Sequence, residues 1–195
     1  MAVSRRHFLG LSVALPVGAG SGVFAQGLEQ FAVSEPPCTD DPRVTPSVPL
    51  DRTFRAGAPL KASLADAGTP GTPLSFSGTV TGITCGRVAG ARVDVWQADA
   101  KGVYDTAGFR LRGHQLTDAR GGFSFKTIVP GAAAGRPRHL GVRVQVKGKI
   151  DFSTELFFPD DATAPKDARF KKELLLKLTK SGAGQGAIFD VILPI

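Results

Sequence analysis

Several residue types are scarce in this chain, and each scarcity excludes something. There is one tyrosine, Tyr104, one tryptophan, Trp96, and there are two cysteines and three histidines. Two cysteines without CxxC spacing do not build a structural zinc site. The longest apolar run, Leu9 to Val17, is too short and too glycine-rich to span a bilayer. No basic run is interleaved with aromatics, which argues against nucleic acid as a partner. Internal repeats, heptads and a phosphate-cradling glycine loop are also missing.

Glycine and proline are plentiful, 24 and 14 residues. They imply many turns between short elements, hence an all-β chain. The length of 195 residues suits one domain with appendages.

Residues 1–25 read as a leader. Ser4 to Leu9, SRRHFL, is a twin-arginine pattern, an apolar run follows, and Val23-Phe24-Ala25 offers a cleavage site after Ala25. Export to the periplasm or the exterior is expected, with no transmembrane anchor after processing. The twin-arginine route carries folded proteins, often with a cofactor, which points weakly to a metal. Removing the leader's two arginines from the 24 basic residues leaves 22 against 17 acidic, a charge of +5. The basic residues are scattered, as on a solvated surface. An oxidising compartment permits a Cys38–Cys85 disulfide, and two separate thiols are the alternative.

Residues 26–73 are rich in Pro, Asp, Ser and Gly and read as an extended arm wrapping the domain, with a short turn at Leu60 to Leu64. Residues 74–195 read as the domain itself. Leu74 to Ile83 alternates, with Leu74, Phe76, Gly78 and Val80 on one face. Ala91 to Gln97 alternates too. Asp99 to Gly113 is a long excursion carrying Tyr104. His114 to Thr117 and Phe123 to Ile128 flank DARGG, a hairpin signature. Leu140, Val142, Val144 and Val146 define a further strand, and so does Phe152 to Phe158. Ala168 to Leu178 fits a short helix and a strand-loop equally. SGAGQG reads as a flexible turn before a last strand, Ile188 to Leu193. Together these segments predict an antiparallel β-sandwich.

The stretch Ala91 to Val144 holds Tyr104 and both histidines outside the leader, His114 and His139. Its motifs VDVWQADAKGVYD, RLRGHQLTDARGGFSF, TIVPG and RPRHL, followed by ELFFPDD and FDVIL, resemble the intradiol ring-cleavage dioxygenases of the catechol and protocatechuate type. The resemblance covers roughly Pro73 to the C-terminus. It implies a β-sandwich, a non-haem Fe(III), and cleavage of catechol-like rings by O2. Two tyrosinates and two histidines hold that iron, hard donors suited to a hard cation. By resemblance the first tyrosine is Tyr104, and the second falls on Ala133, two residues after the Pro-Gly of TIVPG. The His-x-His pair reads His139-Leu140-Gly141. The arginine that precedes it, by the substrate in the family, is Arg136. Two of the four ligand positions therefore lack a donor.

Two functions follow as expectations. One is a dioxygenase with Tyr104 and His139 as metal ligands and water or a carboxylate filling in, Asp105 and Asp118 being near in sequence. The other is an iron-free relative whose cleft binds phenolic ligands, with Arg136 and Arg138 attracting an acidic group, or which serves as an exported interaction module. A carbohydrate-binding sandwich is a third reading, with Trp96 as platform. His114 is expected to be structural. Placing Tyr at Ala133 and His at Gly141 is expected to raise ferric affinity.

Overall fold

The computed structural model describes residues 44–195. The leader, its twin-arginine pattern, Cys38 and the first part of the arm lie outside the described residues. Nine strands form two sheets: β1 (Pro73–Gly82), β2 (Arg92–Trp96), β3 (Arg112–Leu116), β4 (Gly122–Ile128), β5 (His139–Val146), β6 (Ile150–Phe157), β7 (Lys177–Ser181), β8 (Gly184–Ile188) and β9 (Val191–Leu193). One sheet runs β4-β1-β8-β7, with β9 also on β1, and the other runs β3-β2-β5-β6. The β-sandwich expected from the alternation is the fold observed. Among the described residues no helix is long and apolar enough to cross a membrane.

Alternation builds the core. Leu74, Phe76 and Val80 of β1 point inward with Phe123 and Phe125 of β4. They meet Val93 and Val95 of β2, Leu140, Val142 and Val144 of β5 and Leu156 of β6. Each such side chain contributes roughly 1.5–3 kcal/mol on burial. The outer face of the second sheet is buried too: Asp94 is 2% and Trp96 4% exposed. Period-two reading assigns those residues to solvent, yet loops cover them.

Three elements differ from expectation. DARGG does not close a hairpin. β3 and β4 belong to different sheets, and β4 pairs with β1. The turn is an arch between layers, held by Asp118, whose carboxylate accepts the N–H groups of Arg120 and Gly122 at 2.8 Å. Gly121, at φ 75°, completes it. The undecided stretch Ala168 to Leu178 is a single 3-10 turn, Lys172–Leu174, leading into β7. SGAGQG belongs mostly to β7 and β8, so its turn is shorter than expected.

The last strand is split into β8 and β9, both parallel to β1. The split occurs where Phe189 crosses Gly78: a Cβ on Gly78 would lie 1.8 Å from the Phe189 carbonyl oxygen. Asp190 holds the kink by accepting the Thr79 N–H at 2.9 Å and the Thr79 hydroxyl at 2.7 Å.

The arm wraps the sandwich over residues 44–73. Val48 donates to the Ser153 carbonyl beside β6, Lys61 to that of His114 on β3, and Leu64 to that of Lys126 on β4. These bonds cover sheet edges that would otherwise present unpaired backbone groups. They also bring Asp51 and Thr53 over the outer face of β2, β5 and β6. Gln97, fully buried, ties the end of β2 to the other sheet: its amide donates to the Ile128 carbonyl at 2.8 Å and accepts the Thr127 hydroxyl at 2.9 Å. That anchor sets the start of the loop that carries Tyr104.

Gly78→Ala is expected to lower unfolding stability by about 2–3 kcal/mol through the carbonyl clash, and Asp190→Ala by about 1 kcal/mol. Urea midpoints measure both. Equally small losses would show that the β8–β9 kink moves aside freely.

Candidate metal centre

Register places the site. On β5, His139 pairs with Phe157, and Gly141 lies between Trp96 of β2 and Glu155 of β6. These residues share the outer face of the sheet. Above them come Asp51 and Thr53 from the arm, Tyr104 from the loop after β2, and Arg136 from the segment before β5.

The two expected ligands are in contact: Tyr104 Oη lies 3.0 Å from His139 Nε2. His139 Nδ1 faces the Pro137 carbonyl oxygen at 2.8 Å, and since that oxygen only accepts, Nδ1 carries the proton. Nε2 is therefore an acceptor and the Tyr104 hydroxyl donates to it. Burial, and then the charge of Asp51, push the Tyr104 phenol up to about 12. Arg112 lies over its ring at 5.8 Å.

The two positions without donors differ in the space around them. Ala133 is buried and lines a pocket next to Tyr104. Gly141 is packed against Trp96: a Cβ there would lie 2.1 Å from Trp96 Cε2. That indole is fixed, donating to Thr53 Oγ1 at 3.0 Å and meeting the edge of Phe54 at 5.0 Å between centroids. A histidine at Gly141 would have to displace this indole, an obstacle to restoring the second imidazole that the sequence does not show.

Asp105 and Asp118 do not fill in. The Asp105 carboxylate accepts the N–H groups of Gly108, Arg110 and Ala107, which hold it down to about 2 and organise its own loop. Asp118 serves the arch. The carboxylates that do reach the site are Asp51 and Glu155. Together with His139 they offer ligand atoms within 4.8 Å of one another, the one such group among the described residues. Composition does not reveal Asp51, which arrives from the arm. Glu155 leaves a faint trace, a carboxylate inside the apolar strand STELFF.

Arg136 occupies the middle of that group. Its Nη1 lies 3.1 Å from Glu155 Oε1, 3.5 Å from His139 Nε2 and 3.9 Å from Asp51 Oδ2. Its Nη2 donates to Glu155 Oε2 at 2.6 Å, and Nε donates to Asp167 Oδ2 at 2.9 Å. Burial pulls its pKa down, but the hydrogen bonds to Glu155 and Asp167 outweigh that and hold it above the ordinary value. Glu155, 3% exposed, also accepts from Arg169 at 2.7 Å.

The tyrosinate-and-imidazole donor set implied for Fe(III) does not fit these residues. Two donors are missing, Trp96 fills the place of one, the remaining phenol keeps its proton on the remaining imidazole, and a guanidinium stands among the carboxylates.

Other expectations resolve simply. His114 is structural, its Nδ1 donating to the Ala58 carbonyl at 2.7 Å. Arg138 is paired with Asp160 and Asp161, and Arg136 with Glu155 and Asp167. Trp96 is buried and presents no sugar platform. Cys85 is disulfide-bonded, while Cys38, the expected partner, lies outside the described residues.

The pocket beside Tyr104 has a volume of about 550 Å³. Phe54, Val103, Tyr104 and Ala133 give it apolar walls, and Arg52, Arg55 and Arg112 give it positive charge. Arg112 is buried. It donates to the carbonyls of Thr53 and Asp105, while its Nε has no partner.

Comparison with known proteins agrees with the fold and the motifs. A family model described as Dioxygenase matches residues 53–193. The 6-chlorohydroxyquinol 1,2-dioxygenase of Cupriavidus pinatubonensis is 35% identical over 139 residues, 58% of this chain and 50% of that protein. The hydroxyquinol 1,2-dioxygenase of Nocardioides simplex is 29% identical over 157 residues, 67% of this chain and 54% of that protein. This chain thus spans about half the length of those relatives. The dioxygenase domain of a carbohydrate-binding fusion protein from Streptomyces sp. SirexAA-E superposes with a TM-score of 0.76 at 40% identity, covering 78% of this chain and 99% of that domain. Fold, motif order and matched residues agree, and the chain belongs to the intradiol ring-cleavage dioxygenase family.

Proposed function

We propose that this chain binds catechol-type aromatic diols in the pocket beside Tyr104 as an iron-free member of its family, leaving the ring uncut. The observation that carries this reading is the missing half of the donor set, Ala133 and Gly141 at two of the four ligand positions, with the Trp96 indole packed against Gly141. The pocket is within the size range of small-molecule sites. Ala133, where the family resemblance implies a tyrosine, widens it. Phe54 and Val103 suit a ring, and the positive charge of Arg52, Arg55 and Arg112 suits an acidic phenol oxygen.

The chain's own groups then act as follows. Tyr104 holds its proton on His139 Nε2 and presents a polar edge to the ligand. Arg112 and the backbone around Thr53 orient the oxygens. Phe54, packed edge-on against Trp96, lines the pocket.

A second reading keeps the family's Fe(III) chemistry, cleavage of a catechol-type ring by O2. It is favoured by Tyr104 and His139 at two matched ligand positions and by the oxygens of Asp51 and Glu155 nearby.

We further propose export, from the twin-arginine pattern and cleavage site of residues 1–25. The disulfide at Cys85 supports an oxidising compartment, with Cys38, the chain's only other cysteine, as its partner.

Mature protein grown with added iron is expected to carry essentially no iron, to consume no O2 with catechol or hydroxyquinol, and to show saturable quenching of its single tryptophan, Trp96, by those diols. Near one ferric ion per chain with O2 uptake would sink the iron-free reading.

The single tyrosine also makes a phenol titration unambiguous. Absorbance of the folded chain should report a midpoint near 12, against about 10 unfolded. The raised folded value means that this group's stabilisation is complete below pH about 10 and is lost as pH rises from there towards 12. Ionisation near neutrality, with a visible charge-transfer band, would instead indicate a metal-bound tyrosinate.

A further inference from the structure

We infer that the pocket beside Tyr104 selects aromatic diols that carry a carboxylate on a short side chain, and that Arg52 and Arg55 of the arm are the residues that select it. The inference rests on the reading that this pocket takes aromatic diols, and names which ones.

Ion pairing sets the pocket's arginines apart. Among the described residues, Arg92, Arg110, Arg136, Arg138, Arg143 and Arg169 each have a carboxylate within ion-pair distance. Arg52, Arg55 and Arg112 have none there, and all three line one pocket. Arg87 and Arg120 share that condition but lie elsewhere.

Arg112 makes the imbalance costly. It is 3% exposed, and its guanidinium donates to backbone carbonyls alone, those of Thr53 and Asp105. A buried cation is ordinarily matched by an anion. Asp105, the one acid lining the pocket, turns its carboxylate onto the N–H groups of Ala107, Gly108 and Arg110. Asp51 stands with Arg136 and does not line the pocket. Three guanidiniums therefore meet one carboxylate in the wall, and a neutral diol does not balance them.

Placement separates the ring from the acid. Arg55 Nη1 donates to the Thr106 carbonyl at 2.7 Å, and its guanidinium lies over the Phe109 ring at 5.5 Å. Thr106 is two residues along the loop from Tyr104, at most about 7 Å of extended chain. A ring resting beside Tyr104 and Ala133 thus carries an acid on its far side towards Arg55. Arg52, exposed and without a side-chain hydrogen bond among the described residues, offers the fork of donors that matches a carboxylate. The volume of about 550 Å³ suits a ligand larger than a bare ring.

Calorimetric titration of the mature chain in the absence of O2 tests this. The probes are catechol, a dihydroxyphenylpropanoate whose hydroxyls are adjacent, and the methyl ester of that acid. The acid is expected to bind at least about tenfold tighter than its ester, the margin of charge-assisted hydrogen bonds. That margin should shrink as salt rises from about 0.05 M to about 0.5 M. Arg52→Gln and Arg55→Gln together should cut it to about twofold or less. Acid and ester bound equally by the parent overturn the inference and leave the diol reading standing. A margin that the double variant keeps also overturns it, because other groups then hold the acid. Should the double variant not fold, the single variants decide: a smaller margin in either supports the inference, and an unchanged margin in both overturns it. A parent that binds none of the three probes fails the diol reading, and the inference with it.

Discussion

The buried carboxylate of Glu155 is the constraint around which the site is arranged. It sits on β6 at 3% exposure, on the face that Gly141 and Trp96 share. A carboxylate in that position must be paired, since an uncompensated buried charge costs about 3–5 kcal/mol. Arg136 meets it with two parallel N–H bonds, the geometry that makes such pairs strong. The same guanidinium reaches Asp167, whose carboxylate also accepts the N–H of Arg169, while Arg169 returns to Glu155. The segment before β5 and the 3-10 region after β6 are thereby pinned to one strand. Tyr104 meets His139 on the same face, its hydroxyl 3.0 Å from Nε2.

The fold was legible where one face of a strand meets the core. β1, β5 and the end of the chain alternate cleanly, because Leu74, Phe76, Leu140 and Val142 must point inward and their neighbours need not. It was illegible where pairing depends on partners far away in sequence. The residues of DARGG suit a hairpin and an arch equally; only the pairing of Phe125 with Phe76 decides for the arch. The split of the last strand is set by contact between Phe189 and Gly78, more than a hundred positions apart. The parallel pairing of β8 and β9 with β1 is long-range in the same way.

The site divides on similar lines. Tyr104 and His139 are found by motif, and the structure brings them within a hydrogen bond. The losses at Ala133 and Gly141 can also be counted from the sequence, since a chain with one tyrosine cannot supply two tyrosinates. What replaces the lost donors cannot be read there. Asp51 belongs to a stretch with no periodicity, and its place is set by arm-to-sheet bonds such as Val48 to Ser153. Arg136 is recognisable as the family's arginine, but its acidic partners come from β6 and from beyond it. Arg136 pairs with Glu155 and Asp167, and Arg52, Arg55 and Arg112 add positive charge to the pocket beside Tyr104.

Arg136 stands where the family resemblance places its arginine, so this chain departs from the implied donor set at Ala133 and Gly141 alone. Arg136 does not supply what a metal ion would. A metal ion ionises a bound phenol by sharing its oxygen lone pair at short range. Arg136 is engaged with Glu155 and Asp167, and its charge lowers the Tyr104 pKa less than burial and Asp51 raise it. The phenol accordingly keeps its proton up to about 12. Gly141 adds a steric difference, because the indole of Trp96 packs where a side chain at that position would begin. Tyrosinate chemistry at Tyr104 thus needs a cation on its own oxygen, which the guanidinium of Arg136 does not replace.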